Sequence, residues 1–352
     1  MVRLRPKSYT AIAAMLFLLM IIGILVSSTL GRYDISTREL LFALRDWFSG
    51  KLSSLTGGAI KATHSDEVSD QMRAILFNVR LPRIFLACMV GCSLSAAGAA
   101  YQGVFQNPMA APDILGASSG AAMGAALAIL LELSSQMVMI FAFIASMITI
   151  SLVMFISTMA RGNKVLRIIL AGIMMSSLCN AVTSFIKLVA DPNSILPEIT
   201  YWMMGSLAKT RPDSVWFAAI PMVIGIIPLL LIRWRINLLT LSDSEAKTMG
   251  VNVALVRVVV IICATLVTAA SVSVSGLIGW VGLVVPHFAR RLVGNNYRHL
   301  LPVSMLIGAI FLLIVDNVSR NLLMTEIPIG ILTAVVGAPF FIWLITRRKD
   351  TI

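Results

Sequence analysis

Few side chains in this sequence have the types and spacing that catalysis requires. The three histidines are His64, His287 and His299, and no HExxH motif accompanies them. Cys88 and Cys92 stand at i,i+4, so one helix face could present both thiols to a metal, but their apolar surroundings favour buried, unreactive thiols. The sequence also lacks GxxxxGK(S/T), the P-loop that cradles ATP phosphates. We therefore expect no enzyme active site, metal site or cofactor in this chain.

Two charged residues, Asp316 and Arg320, follow the apolar run 299–315 at i,i+4 spacing. An acidic residue inside a membrane segment is a candidate for substrate or ion binding. The same spacing fits an ion pair within one helix, near its outer end. We favour the ion pair for Asp316, which leaves Arg320 available for a contact outside the membrane.

The composition indicates a membrane protein that crosses the bilayer many times. Of its 352 residues, 58% are hydrophobic and only 12% are charged, against about 25% charged in a typical soluble domain. The mean hydropathy is +0.92 and the formal net charge is +12. The basic residues cluster in short segments between apolar runs, as cytoplasmic loops do under the positive-inside rule. That arrangement argues against nucleic-acid binding.

The spans follow from the stretches without charged residues. Nine such stretches occur: 8–31, 84–112, 114–131, 133–160, 168–186, 214–232, 258–289, 299–315 and 327–346. The first exceeds the apolar region of a signal peptide, about 7–15 residues, so we read it as an uncleaved span. Serines and glycines interrupt 258–289, which predicts two short helices joined by a tight turn. Ten spans result, and basic clusters at both termini predict that both ends are cytoplasmic.

The predicted fold is an all-α membrane domain that occupies the whole chain, 1–352. Five spans precede the loop 188–213 and five follow it. An odd number of spans in each half gives the halves opposite orientations, as in an inverted repeat. Residues 32–80 form a predicted extracytoplasmic segment, and residues 236–252 a predicted cytoplasmic loop.

Two outer segments carry local structure signals. Ser36 or Thr37 can cap a short helix that continues to Trp47, whereas residues 49–70 are polar, rich in glycine and serine, and expected to be loose. Aromatic and methionine residues within 191–212 predict a short helix at the membrane interface.

The segment Leu81–Gly116 organises the predicted bundle. It is rich in glycine, serine and alanine, which let helix backbones approach closely in lipid. We therefore expect its helix to be central rather than lipid-facing. The helix should end at Asn107-Pro108, and Pro112 should leave irregular backbone that is buried in protein or lines a cavity. A similar proline turn is predicted around Pro286 in the second half.

The cytoplasmic loop 236–252 has the pattern of a short amphipathic helix. Ser242 can cap it, Asp243 suits its first turn, and Gly250 can end it. Such a helix is suited to docking into a groove on a cytoplasmic partner. An ordinary surface loop fits the pattern equally well.

Three stretches resemble the vitamin B12 and ferric-siderophore permease family, the FecCD type of membrane subunit in type II ABC importers. They are RLPRIFLACMVGCSLSAAGAAYQGVFQNPMAAPDILGASSGA, GLIGWVGLVVPHFARRLVGNNYRHLLPVSMLIGAIFLLIVDNVSR and IPIGILTAVVGAPFFIWLI. In addition, LTLSDSEAKTMGV resembles the family's coupling-helix loop and YWMMGSL its outer-gate helix. The similarity covers most of residues 75–348 in order and agrees with the ten spans counted above.

The resemblance implies a transport subunit without its own ATPase site, in the cytoplasmic (inner) membrane. Its implied partners are a second copy of the chain or a close paralogue, two cytoplasmic subunits that bind ATP and Mg, and an extracytoplasmic substrate-binding protein. The implied substrate is an iron chelate, with a ferric siderophore first. Haem, cobalamin or an oxyanion such as molybdate come next.

The resemblance also implies roles for individual residues. Binding-protein docking maps to Arg80, Arg83 and Arg320, which would meet acidic residues of that protein. Coupling to the ATPase maps to Leu241, Ser242, Asp243, Ala246, Met249 and Gly250. The translocation path and gate map to Gln102, Asn107, Pro108, Val165 and Leu166. Some relatives carry hydroxyl residues at the last two positions, so apolar residues there predict closure by a dry constriction.

The alternative from another class is an ion- or proton-coupled secondary transporter. Such a protein needs ionisable residues near the middle of the membrane to carry the coupling ion. Asp316 is the one good acidic candidate, since Glu132 and Lys187 lie at the edges of spans.

Overall fold

The computed structural model describes residues 6–31, 33, 35–55, 69–159, 161–162, 164–240 and 252–346. Within these ranges the regular structure is helical and contains no strand. The α-helices are α1 (Pro6–Thr29), α2 (Thr37–Leu55), α3 (Asp70–Ile75), α4 (Leu81–Val104), α5 (Ala117–Leu130), α6 (Ser135–Met159), α7 (Lys164–Val189), α8 (Ile195–Met203), α9 (Pro212–Leu239), α10 (Val253–Ser275), α11 (Val281–Val293), α12 (Tyr297–Asn321) and α13 (Ile329–Thr346). A π turn, Leu76–Arg80, joins α3 to α4, and a 3₁₀ turn, Pro112–Leu115, precedes α5.

The chain is an all-α, multi-pass membrane protein. Seven of the described helices are long and apolar enough to cross a membrane: Tyr9–Thr29, Asp70–Val104, Ser135–Met159, Val165–Val189, Pro212–Leu239, Val253–Ser275 and Tyr297–Asn321. Helices α5 and α13 are shorter apolar helices. The ten-span count and the cytoplasmic placement of both termini stay predictions.

The long apolar stretch 258–289 divides into two helices, as predicted. Helix α10 ends at Gly276, whose φ is +67°, and α11 begins after Trp280. The prediction that both helices are short is wrong for α10, which has 23 residues. It starts earlier than the stretch because the Asn252 side chain caps it, accepting from the Leu255 N–H at 3.1 Å.

Helix α4 is central, as its small residues predicted. In the most apolar part of the continuous helix Asp70–Val104, 83% of the residues are buried. A Cβ atom added to Gly98 would lie 1.8 Å from the carbonyl oxygen of Gly282 in α11. One added to Gly91 would lie 2.2 Å from the carbonyl oxygen of Gly308 in α12. The backbones of three helices therefore touch, which is how helices associate closely in lipid.

The irregular backbone after α4 is found where the prolines predicted it. The helix ends at Val104, and residues 105–111 form turns. Gln106 adopts a φ of +51° and donates from Nε2 to the Leu239 carbonyl oxygen at 2.8 Å, which fixes the turn to the end of α9. The predicted proline turn of the second half is wrong, because Pro286 lies inside α11.

Helix α2 starts at the predicted cap. The Ser36 N–H donates to the Glu39 carboxylate at 2.8 Å, and the Glu39 N–H donates to Ser36 Oγ at 3.2 Å, which makes a capping box. The Ser36 N–H is the main reason that the pKa of Glu39 lies below its usual value. The helix continues past Trp47 to Leu55. Residues 56–68, within the stretch predicted to be loose, lie outside the described residues.

Two contacts hold α2 against α3 and the π turn. Arg73 Nη2 pairs with Asp46 Oδ2 at 2.9 Å. The second contact is a small apolar cluster: Ile35, Leu40, Ala43, Met72 and Leu76. The first half of α2 therefore packs on the helix that leads into α4.

Substituting Gly98 by alanine is expected to destabilise the protein, because the new methyl group would overlap the Gly282 carbonyl oxygen. Overpacking typically costs about 1–3 kcal/mol, and backbone can yield less than a side chain. Gly279→Ala is the matched control, since nothing lies within 4 Å of an added Cβ there. Thermal unfolding in detergent measures both variants, and equal melting temperatures would contradict the close α4–α11 contact.

Candidate docking surface and translocation path

Four charged side chains meet where α4 begins and α12 ends: Arg83, Asp316, Arg320 and Glu326, named here the four-charge cluster. Arg83 donates from Nε to Asp316 Oδ1 at 2.9 Å and from Nη1 to Glu326 Oε1 at 2.8 Å. Arg320 Nε lies 3.1 Å from Asp316 Oδ2. Two cations and two anions sum to zero charge, and ionised groups away from water need such pairing.

Asp316 is the centre of this cluster. Its side chain is 0% exposed, and its two oxygens face the two guanidinium groups. Arg320 also donates from Nη2 to Ser27 Oγ at 2.8 Å and to Asn317 Oδ1 at 2.7 Å, which links α12 to α1. The predicted Asp316–Arg320 ion pair is therefore present. Arg320 is only 9% exposed, because Ser27 of α1 and Asp316 both bind it, whereas we expected its side chain to be free.

Arg80 is buried nearby and binds backbone rather than acids in the contacts described. Its Nη1 donates to the carbonyl oxygens of Ser28 at 2.8 Å and Thr29 at 3.1 Å, and its Nη2 donates to that of Tyr33. A guanidinium at this position satisfies carbonyl groups that the end of α1 leaves without a helical partner. All three arginines with a predicted docking role are thus buried in this conformation. The docking role itself stays a prediction.

The predicted path residues on α4 and its turn lie in two different settings. Gln102 is buried, and its Nε2 is 3.5 Å from the carbonyl oxygens of Gly282 and Leu283 in α11. Asn107 is exposed in the turn, where its Oδ1 accepts from the Met109 N–H at 2.9 Å, and Pro108 beside it is half-buried. Gln102 therefore lies within the helix packing, and only the turn reaches the surface.

The predicted gate residues begin α7. Val165 is half-buried and packs against the main apolar core, whereas the Leu166 side chain is 55% exposed. At 100° per residue, the helical face that carries Leu166 continues through Leu170, Ser177 and Asn180 to Ser184.

That face of α7, named here the α7 stripe, was missed from the sequence. It is exposed at each of these positions: Leu166, Leu170, Ile173, Ser177, Asn180 and Ser184. The first three are apolar and the last three are polar. A signal was present in the sequence, since polar residues recur at 177, 180 and 184. Polar residues on a helix in the membrane face protein or water rather than lipid.

A second junction ties α8 to two other elements near the four-charge cluster. The Ile329 N–H donates to the Gly205 carbonyl oxygen at 2.8 Å, and the Gly330 N–H donates to that of Met204 at 3.1 Å. On the other side, a Cβ added to Gly276 would lie 2.3 Å from the Trp202 carbonyl oxygen. The end of α8, the end of α10 and the start of α13 therefore meet backbone to backbone. Helix α8 is the short helix predicted within 191–212.

The predicted coupling residues, Leu241, Ser242, Asp243, Ala246, Met249 and Gly250, lie outside the described residues.

Cys88 and Cys92 are half-buried free thiols on α4. Across the described ranges, no group of three or more histidine, cysteine, aspartate or glutamate side chains could hold a metal ion.

The family model of the FecCD transport family matches residues 16–347. The chain belongs to the FecCD transport family. It is therefore an ABC permease, a membrane transport subunit of ABC importers, as the sequence resemblance indicated.

Individual members of the FecCD family resemble it along most of its length. It is 38% identical to the molybdate import system permease protein MolB of Haemophilus influenzae over 98% of both chains. It is 37% identical to the hemin transport system permease protein HmuU of Yersinia pestis, over 80% of this chain and 86% of that one. A solved structure, described as an inward-facing metal-chelate type ABC transporter, has a TM-score of 0.83 and 36% identity, covering 96% and 99% of the two chains.

Substituting Asp316 by asparagine is expected to be strongly destabilising in this FecCD permease. It leaves Arg83 and Arg320 buried beside a neutral amide, and breaking a buried ion pair costs about 3–5 kcal/mol. Glu198→Gln is the control, because it breaks the exposed Lys209–Glu198 pair at 2.7 Å, and exposed pairs contribute about 0–1 kcal/mol.

Melting temperatures of the two purified variants in detergent compare the costs. If D316N and E198Q have the same melting temperature, the four-charge cluster does not hold α1, α4 and α12 in place.

Proposed function

We propose that this chain is the permease subunit of a binding-protein-dependent ABC importer driven by ATP hydrolysis in separate subunits. Membership of the FecCD family supports the transport role, and the sequence lacks a P-loop of its own. Two copies of the chain, or one copy and a close paralogue, would enclose a path between them. Two cytoplasmic subunits would bind ATP and Mg, and an extracytoplasmic protein would deliver the substrate.

The proposed topology has ten spans in the cytoplasmic (inner) membrane, with both termini cytoplasmic. The seven long helices, together with α5, α11 and α13, supply ten apolar or amphipathic elements in chain order. The four-charge cluster and α8 then lie at the extracytoplasmic end, where a binding protein would dock. The start of α7 and the loop 236–252 lie at the cytoplasmic end.

The α7 stripe is the observation that carries the proposal of a translocation path. Three polar side chains, Ser177, Asn180 and Ser184, are exposed on the surface of a 26-residue apolar helix. Lipid would leave the Asn180 amide without a partner and the two hydroxyls bound only to their own helix, whereas a water-containing path between two copies would solvate all three. Toward the cytoplasmic end the stripe becomes apolar at Leu166, which suits closure by a dry constriction.

The path proposed along α7 would bind its substrate weakly. The Ser177 hydroxyl donates to Ile173 O at 3.0 Å and the Ser184 hydroxyl to Asn180 O at 2.8 Å, so both present acceptor lone pairs outward. Neutral hydroxyl and amide groups offer hydrogen bonds without a fixed charge. A path of this kind lets a substrate leave after the binding protein has delivered it.

The proposed substrate is an iron chelate, with a ferric siderophore as the first candidate. Relatives named as iron chelatin, hemin and Fe(3+) dicitrate permeases support this class. Molybdate is the second candidate, because the molybdate permease MolB aligns with 98% of the chain, whereas those three align with 78–81%. Isolating the binding protein and identifying its bound ligand by mass spectrometry decides between them.

The secondary-transporter alternative is not favoured. The proposed coupling acid would be Asp316, and both of its carboxylate oxygens are within 3.1 Å of an arginine. To bind a coupling ion, Asp316 would first have to break both of these buried ion pairs, and breaking a buried pair is costly.

Substituting Asn180 by leucine should reduce substrate transport while binding-protein docking and ATPase activity persist, because it removes a polar group from the proposed path. Val182→Leu is the matched control, since position 182 is exposed on nearly the opposite side of α7. Uptake into proteoliposomes that hold the whole complex measures the effect. Equal uptake by N180L and V182L would show that the α7 stripe does not line the path.

Replacing residues 243–249 with a glycine-serine linker should separate ATP hydrolysis from transport, because the segment is proposed to dock into the ATPase subunits. ATPase activity would persist in the assembled subunits while uptake falls to background. Coupled uptake by the linker variant would instead identify 236–252 as an ordinary surface loop.

A further inference from the structure

Glu326 differs from the other members of the four-charge cluster in how it is held. Its side chain is 29% exposed, whereas that of Asp316 is 0% exposed. It contacts Arg83 through Oε1 alone, and neither Glu326 Oε2 nor Arg83 Nη2 has a hydrogen-bond partner among the described residues. A bidentate arginine–carboxylate pair would use both atoms and be stronger. Glu326 is therefore the replaceable anion of the cluster.

Charge balance restricts what can replace it. Without Glu326 the remaining cluster consists of Arg83, Arg320 and Asp316, with a net charge of +1. An uncompensated buried charge is strongly unfavourable, so Glu326 can leave only when another anion arrives. A carboxylate on an approaching protein meets this requirement, because it reaches the exposed edge where Glu326 sits.

The chain that follows Glu326 connects the cluster to α8. Ser319 Oγ donates to the Ile327 carbonyl oxygen at 2.6 Å, and the Ile327 N–H donates back to Ser319 O at 3.2 Å. Two residues later, the N–H groups of Ile329 and Gly330 bind the end of α8. Pro328 stiffens the short connection, since its φ is fixed. A shift of Glu326 therefore acts on the α8 junction within four residues.

Helix α8 also has space beside it. A cavity of about 460 Å³ borders it and is lined by Tyr201 and Trp202 of α8, by the turn between α5 and α6, and by the last residues of α10. Close packing resists displacement, whereas a cavity allows it. The cavity therefore leaves space beside α8 into which its end can shift together with the start of α13, to which it is hydrogen-bonded.

We propose that Glu326 is a positioning residue whose carboxylate is exchanged for an acidic side chain of the docked binding protein. The incoming carboxylate binds Arg83, the segment 322–328 is released, and the start of α13 and the end of α8 shift together. The exchange keeps the cluster neutral throughout. It rests on the proposed importer function, because it requires an extracytoplasmic binding protein.

The test compares Glu326→Gln with Glu132→Gln in the assembled transporter, reconstituted in nanodiscs with its binding protein. Glu132 is an exposed acid in the turn between α5 and α6, outside the cluster. E326Q removes the internal competitor, so docking should tighten severalfold and its salt dependence should steepen. E132Q should dock as the wild type does. A lower melting temperature is expected for E326Q, because Arg83 loses its second acid, so docking is measured on folded transporter below that temperature. Unchanged or weaker docking by E326Q under these conditions would overturn the exchange.

Ser319→Ala tests the connection to α8 separately, because it removes the side-chain hydrogen bond to the Ile327 carbonyl oxygen, keeps the backbone bond from the Ile327 N–H and leaves every charge in place. Docking should match the wild type, while uptake into proteoliposomes and stimulation of ATPase activity by the binding protein should both fall severalfold. Full uptake and stimulation by S319A would overturn the connection to α8. A wild-type complex that neither docks a binding protein nor transports would instead refute the proposed function itself.

Discussion

A single buried carboxylate determines how the ends of three helices meet. Asp316 has no contact with water, so it must be neutralised by protein groups, and Arg83 and Arg320 do this from α4 and α12. Arg320 reaches further to Ser27 in α1. Removing any one charge leaves another without compensation, and this mutual dependence fixes α1, α4 and α12 at one end of the bundle.

Close backbone contact fixes α4 against α11 and α12. Gly98 against Gly282 and Gly91 against Gly308 leave no room for a methyl group. In lipid, such contacts replace the hydrophobic effect as the force between helices. The four-charge cluster and the glycine contacts together hold α4 tightly against α11 and α12, and Arg320 connects α12 to α1. Helix α7 is less buried than α4 and is the helix that we propose lines the path.

The fold could be predicted in outline because the membrane leaves strong signals in a sequence. Charge-free stretches located the helices, and small residues placed α4 at the centre. The predicted turn at Pro286 was wrong because proline inside a membrane helix is tolerated where neighbouring groups satisfy the backbone. The packing of α2 was missed because it depends on contacts with Met72 and Leu76 of a distant segment.

The candidate site was harder to predict, since it depends on which charges meet. The i,i+4 spacing revealed Asp316 and Arg320, but no local pattern brings Arg83, from more than 200 positions away, to the same carboxylate. Glu326 was missed for the same reason. Likewise, the exposure of Ser177, Asn180 and Ser184 becomes visible only when the rest of the bundle is packed.

The charged end of the bundle and the proposed path would recognise different molecules: the charged groups a protein partner, and the path the substrate. Charged groups that orient a partner lie at the end of the bundle, whereas the α7 stripe offers only hydroxyl and amide groups. Such groups can accept from or donate to an oxyanion, a hydroxamate or a carboxylate alike. The path therefore does not distinguish molybdate from an iron chelate by charge. On the proposed function, selection between them would occur before entry, in the binding protein that delivers the substrate.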